Sequence, residues 1–215
     1  MPSPVKRRYD SEGRQAQSRQ TRQRLLDAGR ASFVADGYRA TTVAEIARRA
    51  GTHVDTLYAL VGRKPQILRE LIEQAISGTD EAVAPDEREY VQRMRAETDP
   101  AGKLAIYAAA IRAIQMRMAP LLLALRDAAA TESDAQQVWQ DISDRRAMNM
   151  RRLVAELGDQ ALRPGLSADD AADTIWVTAS SEMYIMLTHD RGWTPDHYQQ
   201  WLTDTWTNLL LRRLR

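Results

Sequence analysis

Signals that start and stop helices punctuate this chain from end to end, and the apolar residues between them follow the helical period. Thr42, with Glu45 three residues later, opens one periodic run; Asp99-Pro100, Ser167 with Asp170, and Thr194-Pro195 open others. Gly37, Gly51, Gly62 and Gly158 follow run ends. Sustained alternation and Asn-Gly or Asp-Gly hairpins are lacking. An all-α fold is therefore expected. Its first helices span about 14–36, 43–50 and 54–60, with a fourth from Pro65 to about Ser77. After the loop 79–84, helices are expected over 85–97, 100–118 with a break or kink at Pro120, 121–130, 133–157, from the cap at Ser167 to about His189, and 195–213.

Composition removes several classes. The 215 residues include no cysteine, which excludes disulfides, thiolate metal sites and a Cys nucleophile. The histidines are His53, His189 and His197, and none has the i, i+4 spacing of a helical metal site. A Gly-rich phosphate loop and a Gly-x-Ser-x-Gly elbow are also missing. His189 with Asp190 and His197 with Asp196 sit at helix ends, where both residue types have capping and dipole roles. The expectation is a non-enzyme with no cofactor and no metal. Met1–Gln20 is polar, and the apolar run Ala119–Leu125 falls far short of the roughly 20 residues that span a bilayer. A cytoplasmic protein without a membrane partner is expected.

The formal net charge of +1 conceals a division. Residues 1–64 hold 13 basic and 6 acidic side chains, a net of +7, and the remainder carries −6. Only the N-terminal part is suited to a polyanion. That part also contains a helix-turn-helix pattern. Ala47 is the small residue at the helix crossing, and Gly51 supplies the turn. Val43, Ile46 and Ala50 form the inner face of the first helix, and Leu57 and Leu60 that of the second. Thr52, His53, Asp55 and Thr56 are left on the outer side, where a recognition helix meets base edges.

The surrounding stretch, 22–68, resembles the N-terminal domain of the tetracycline-repressor (TetR) family of transcriptional regulators. The resemblance rests on Arg22, Leu25-Leu26, Ala28, Phe33, Gly37-Tyr38, Thr41-Thr42-Val43, Ile46-Ala47, Ala50-Gly51, Thr56-Leu57-Tyr58, Lys64 and Leu68. The chain departs from the family at Ala59-Leu60-Val61, where a His-Phe pair is usual, at Arg63, and at Pro65. The resemblance implies a three-helix DNA-binding domain followed by a larger helical domain for effector binding and dimerisation. The corresponding division is a disordered basic tail over 1–13, a DNA-binding domain over 14–64 and a second domain over 65–215.

The implied roles follow residue by residue. Thr42 offers a hydroxyl and helix N-terminal amides to a phosphate. Tyr58 resembles the family's phosphate-binding tyrosine, and packing is its other role. Lys64 adds a charge beside a helix start. Thr52, His53 and Thr56 read bases, while Asp55 either meets a cytosine amino group or caps the recognition helix. Arg14, Arg19 and Arg22 form a basic arm, with Lys6, Arg7 and Arg8 in a solvated tail.

A dimer is expected, because one helix-turn-helix makes few contacts and paired half-sites multiply them. Ile175, Met183, Met186 and Leu187 in the penultimate helix, and Trp201, Leu202, Trp206, Leu209 and Leu210 in the last, are its candidate interface. An effector cavity would draw polar groups from Arg112, Gln115, Arg145, Asn149, Ser180 and Glu182. Its apolar lining would come from Tyr107, Met116, Trp139, Met148, Trp176 and Tyr184. The expected protein is a homodimeric repressor that leaves a palindromic operator when a small molecule binds. Its rivals are an architectural DNA-binding protein without an effector and a small-molecule-binding protein that has lost DNA function.

Overall fold

The computed structural model describes residues 5–79 and 83–212, with side chains from residue 13 onward. The chain divides into two compact units, Met1–Ile72 and Glu73–Arg215. Within the first unit, α1 (Val5–Ala40), α2 (Val43–Arg49), α3 (Val54–Leu60) and the first half of α4 (Lys64–Ser77) enclose one core. Leu25, Leu26, Phe33, Ile46, Leu57, Ile67, Leu68 and Leu71 are buried in it. Each such side chain contributes on the order of 1.5–3 kcal/mol by leaving water. The unit continues past Lys64 because α4 packs tightly on α1. A Cβ at Gly29 would lie only 2.9 Å from Ile67 Cγ2, so a residue without a side chain permits the approach.

Helix α1 begins at Val5 rather than near Arg14, so helical backbone covers much of the segment expected to be a tail. The side chains of Lys6, Arg7 and Arg8 lie outside the described residues. Helical geometry breaks at Gly37 (φ 76°, ψ 168°), where the stop was expected. Tyr38 then folds under the unit, buried and stacked on Phe33 with ring centroids 5.5 Å apart.

The second unit is also helical. A 3₁₀ turn (Pro85–Glu87) precedes α5 (Glu89–Ala96), so Pro85 starts a turn rather than the helix itself. Then come α6 (Pro100–Ala129), α7 (Ser133–Leu157), α8 (Ala168–Thr178), α9 (Ser181–Ile185), a π-helical turn (Met186–Asp190) and α10 (Pro195–Leu210). Helix α6 is central and packs against α5, α7, α9 and α10, while α8 packs on α7. It runs through Pro120 without the break that was one of the two expected outcomes there. The carbonyl that Pro120 leaves without its intrahelical partner belongs to Met116, a residue 53% exposed. Helix α6 also holds an 18-residue stretch of mean hydropathy 1.4, apolar enough to cross a membrane, and half of it is buried inside the unit.

The helix expected to reach His189 is instead interrupted. The Ala179 N–H closes α8 on the Ile175 carbonyl, and the Ser180 hydroxyl accepts from Met183 N at 3.2 Å, starting a new helix. Gln115 secures this break. Its Nε2 donates to the Ala179 carbonyl at 2.7 Å, and its Oε1 accepts from Ser181 Oγ at 2.7 Å. Trp206 is fully buried, stacks on Tyr107 at 5.7 Å and donates Nε1 to Thr178 Oγ1 at 2.8 Å.

Candidate nucleic-acid interface and ligand cavity

Helices α2 and α3 form the turn that the sequence requires. Gly51 adopts φ 65°, and the Thr52 N–H donates back to the Ala47 carbonyl at 3.0 Å. Ile46, Ala47 and Leu57 are buried on the inner faces. Burial of this seam fixes which side of α3 faces outward. His53, Asp55 and Tyr58 are exposed there, with Thr52 and Thr56 half-buried. Tyr58 is 50% exposed, so its hydroxyl is accessible. His53 occupies the N-cap of α3 without a side-chain cap bond. Asp55 lies in the first turn and is not the cap, so the capping alternative is corrected. Its carboxylate still faces the positive end of the helix.

Thr42 caps α2 by accepting from Glu45 N at 3.1 Å, and its own hydroxyl proton is free to donate outward. Only half of the expected capping box forms, because the Glu45 carboxylate turns to Arg48 and Arg49, each at 2.7 Å. Those two guanidinium partners hold Glu45 down to about 2. Arg49 also reaches Ser32 and Asp36, while Arg48 is 73% exposed. Arg48 is an exposed basic side chain in the last turn of α2 that periodicity alone did not single out.

The basic arm separates into two kinds of residue. Arg14 and Arg19 are exposed, and Arg14 lines a shallow groove with Asp55 and Thr56. Arg22 points inward. Its Nε donates to the Leu60 carbonyl at 3.2 Å and its Nη2 pairs with Glu70, making it a strut between α3 and α4 rather than part of the arm. Lys64 is half-buried, with Nζ donating to the Tyr38 carbonyl at 3.0 Å.

The second unit contains a cavity of about 160 Å³. Of the residues expected around an effector, Tyr107, Gln115, Arg145, Met148 and Asn149 line it. Burial pushes the Tyr107 hydroxyl well above its ordinary range, so it stays protonated. The other expected lining residues lie elsewhere. Arg112 pairs with Asp196 at 2.9 Å, Glu182 with Arg126 at 3.0 Å, and Ser180 caps α9. Met116 faces water, Trp139 is half-buried away from the cavity, Tyr184 packs edge-on against Tyr198, and Trp176 lies under Arg146. The helical period did not predict the diversions of Arg112, Glu182, Tyr184 and Trp176, because each depends on a partner far along the chain. Glu73, Arg88, Arg146 and Arg152 also line the cavity and were not expected there.

The proposed interface residues also divide. Trp206, Leu202 and Ile175 are fully buried and Leu210 nearly so, all within the unit's own core, so they offer nothing to a partner. Met186 and Leu209 are exposed, while Met183, Leu187 and Trp201 are half-buried. Val177, in the same apolar run as Ile175, is 48% exposed.

A buried helical seam, a glycine turn and a polar outer helix define a helix-turn-helix regulatory domain. Residues 25–71 match the model of the bacterial regulatory proteins of the tetR family. The chain thus carries a tetR-family regulatory domain at its N-terminus. No curated protein sequence matches the chain significantly. Solved structures share its all-α fold. NalD of Pseudomonas aeruginosa, the secondary repressor of the MexAB-OprM multidrug efflux pump, is 19% identical, with a TM-score of 0.72 over 92% of this chain and all of its own. A transcriptional regulator from Saccharomonospora viridis in complex with choline is 18% identical, with a TM-score of 0.66 over 90% of this chain and 99% of its own. The fatty acid degradation regulator FadR of Bacillus halodurans is 16% identical, with a TM-score of 0.67 over 87% and 94%.

Proposed function

We propose that this protein is a cytoplasmic, ligand-responsive transcriptional repressor that binds operator DNA as a homodimer and acts by binding rather than catalysis. The observation that carries this reading is the outer face of α3. There Thr52, His53, Thr56 and Tyr58 stand on a helix whose inner face is locked by buried Leu57. Tyr58, Lys64, Thr42 and the exposed Arg14, Arg19 and Arg48 meet phosphates, and Thr52, His53 and Thr56 meet base edges. The repressor and choline-bound regulators of the same fold support control by a small molecule. Met186 and Leu209 of the expected interface, with the half-buried Trp201 and the exposed Val177 of α8, are open to a second copy.

Effector response follows from α4. Its residues 67–72 belong to the DNA-binding unit, and Glu73 and Ile76 line the cavity. A ligand that binds one placement of α4 better than another shifts the spacing of the two recognition helices in the dimer. Electrophoretic retardation of promoter fragments tests the assignment. Wild-type protein should retard its own promoter in the presence of excess random DNA, and Tyr58→Ala should do so only at higher concentration. Equal retardation of every fragment would refute a sequence-specific operator.

A further inference from the structure

The cavity has an unbalanced lining. Four arginines (Arg88, Arg145, Arg146 and Arg152) face it with one carboxylate, Glu73. Glu73 is already engaged, with Arg145 Nη2 against Oε1 and Arg88 Nη2 at 3.8 Å from Oε2. Arg146 differs from its neighbours. Its hydrogen bonds run to carbonyl oxygens, Trp176 O at 3.0 Å and Ala179 O at 3.4 Å, and both use Nη2. Among the described residues no carboxylate forms an ion pair with it, because Glu182, whose charge reaches it, is paired with Arg126, and its hydrogen bonds use neither Nη1 nor Nε. The Trp176 ring lies 5.3 Å from the guanidinium carbon, and a π face is a weak substitute for an anion. Burial lowers the Arg146 pKa from its ordinary value, as for a cation whose desolvation is incompletely offset.

Beside the Gln115 and Asn149 amides, the rest of the wall is mostly apolar and includes Ile111, Ile114, Ile142 and the Tyr107 ring. A space of about 160 Å³ holds a body on the order of one benzene ring. Both two-donor edges of a guanidinium include Nη2, which is engaged here, so Nη1 or Nε meets a carboxylate through a single charge-assisted hydrogen bond. We propose that this cavity selects a small monocarboxylate with a flat apolar body, the carboxylate resting on Arg146 and the body against Tyr107, Ile111 and Ile142. The charge preference is opposite to that of choline, the cation bound by the similar regulator from Saccharomonospora viridis. The inference rests on the cavity being the effector site, and the experiment separates the two claims.

Benzoate, benzamide and benzylamine, which share a ring and differ in charge, are titrated into the full-length protein by calorimetry. The same compounds are added to a promoter fragment bound by the protein. Benzoate should bind at least about tenfold more tightly than either analogue, the size of one charge-assisted hydrogen-bonded contact. Arg146→Gln should lose that preference, and Arg146→Lys should keep part of it. The wild-type comparison needs no variant, so it stands even if Arg146→Gln fails to fold. Benzylamine or benzamide binding as well as benzoate, or no binding by benzoate, overturns the carboxylate assignment. Benzoate that binds with the stated preference yet leaves DNA bound supports the assignment and refutes the effector role instead.

Discussion

Lys64 Nζ lies 4.1 Å above the centre of the Tyr38 ring and donates to the Tyr38 carbonyl at 3.0 Å. The ammonium is thereby held at the first turn of α4, where its charge adds to the positive end of the helix that faces a phosphate. Lys64→Ala should weaken binding to all DNA sequences alike. It should also reduce the slope of log affinity against log salt by about 1. Fluorescence anisotropy at several salt concentrations measures both. An unchanged slope would confine Lys64 to its contact with Tyr38.

Tyr58 is half in solvent and contributes little to the core. Tyr58→Ala should cost roughly three- to tenfold in operator affinity, the size of one hydrogen bond. Its thermal midpoint should stay within about 2 °C of wild type. A large fall in the midpoint would make Tyr58 a packing residue.

The dimer surface and the core are separable by mutation. Trp206→Ala removes a fully buried ring from a stack with Tyr107 and should cost about 3–5 kcal/mol in denaturant unfolding. By contrast, Met186→Asp with Leu209→Asp alters exposed positions and should yield folded monomers in sedimentation equilibrium. A dimeric double variant would place the interface elsewhere.

Gly29→Ala brings a Cβ to 2.9 Å from Ile67 Cγ2. Crowding should outweigh the better helix propensity of alanine and destabilise the N-terminal unit by about 1 kcal/mol. Combining it with Ile67→Ala should relieve the clash, so the two effects should not add in urea unfolding. Simple additivity would contradict the contact.

Local chemistry was the legible part of this chain. Thr42, Asp99, Ser167 and Thr194 all cap helices with their side chains, as their spacing to the following residues implied. The turn at Gly51 and the inner face at Ile46, Ala47 and Leu57 also followed from periodicity. What the sequence hid were partners distant along the chain. Arg22 looks like part of a basic arm until Leu60 and Glu70 are brought beside it. Trp206 lies on a helix that is apolar over more than one face, and periodicity does not say which face meets its own subunit. Arg146 was one of two adjacent arginines on a polar helix, and only the fold shows it over Trp176 at the cavity wall. The break at Ser180 was obscured because the apolar pattern runs through it on both sides.

The central claim is sequence-specific binding of DNA through α3. Genomic fragments selected by the purified protein, then competed against random DNA at about 0.15 M salt, test it most directly. The expected result is enrichment of a two-fold symmetric site bound on the order of 10³-fold or more tightly than random DNA, with the preference reduced by changes at Thr52, His53 or Thr56. Equal affinity for selected and random fragments, or no retention of DNA at all, would contradict it.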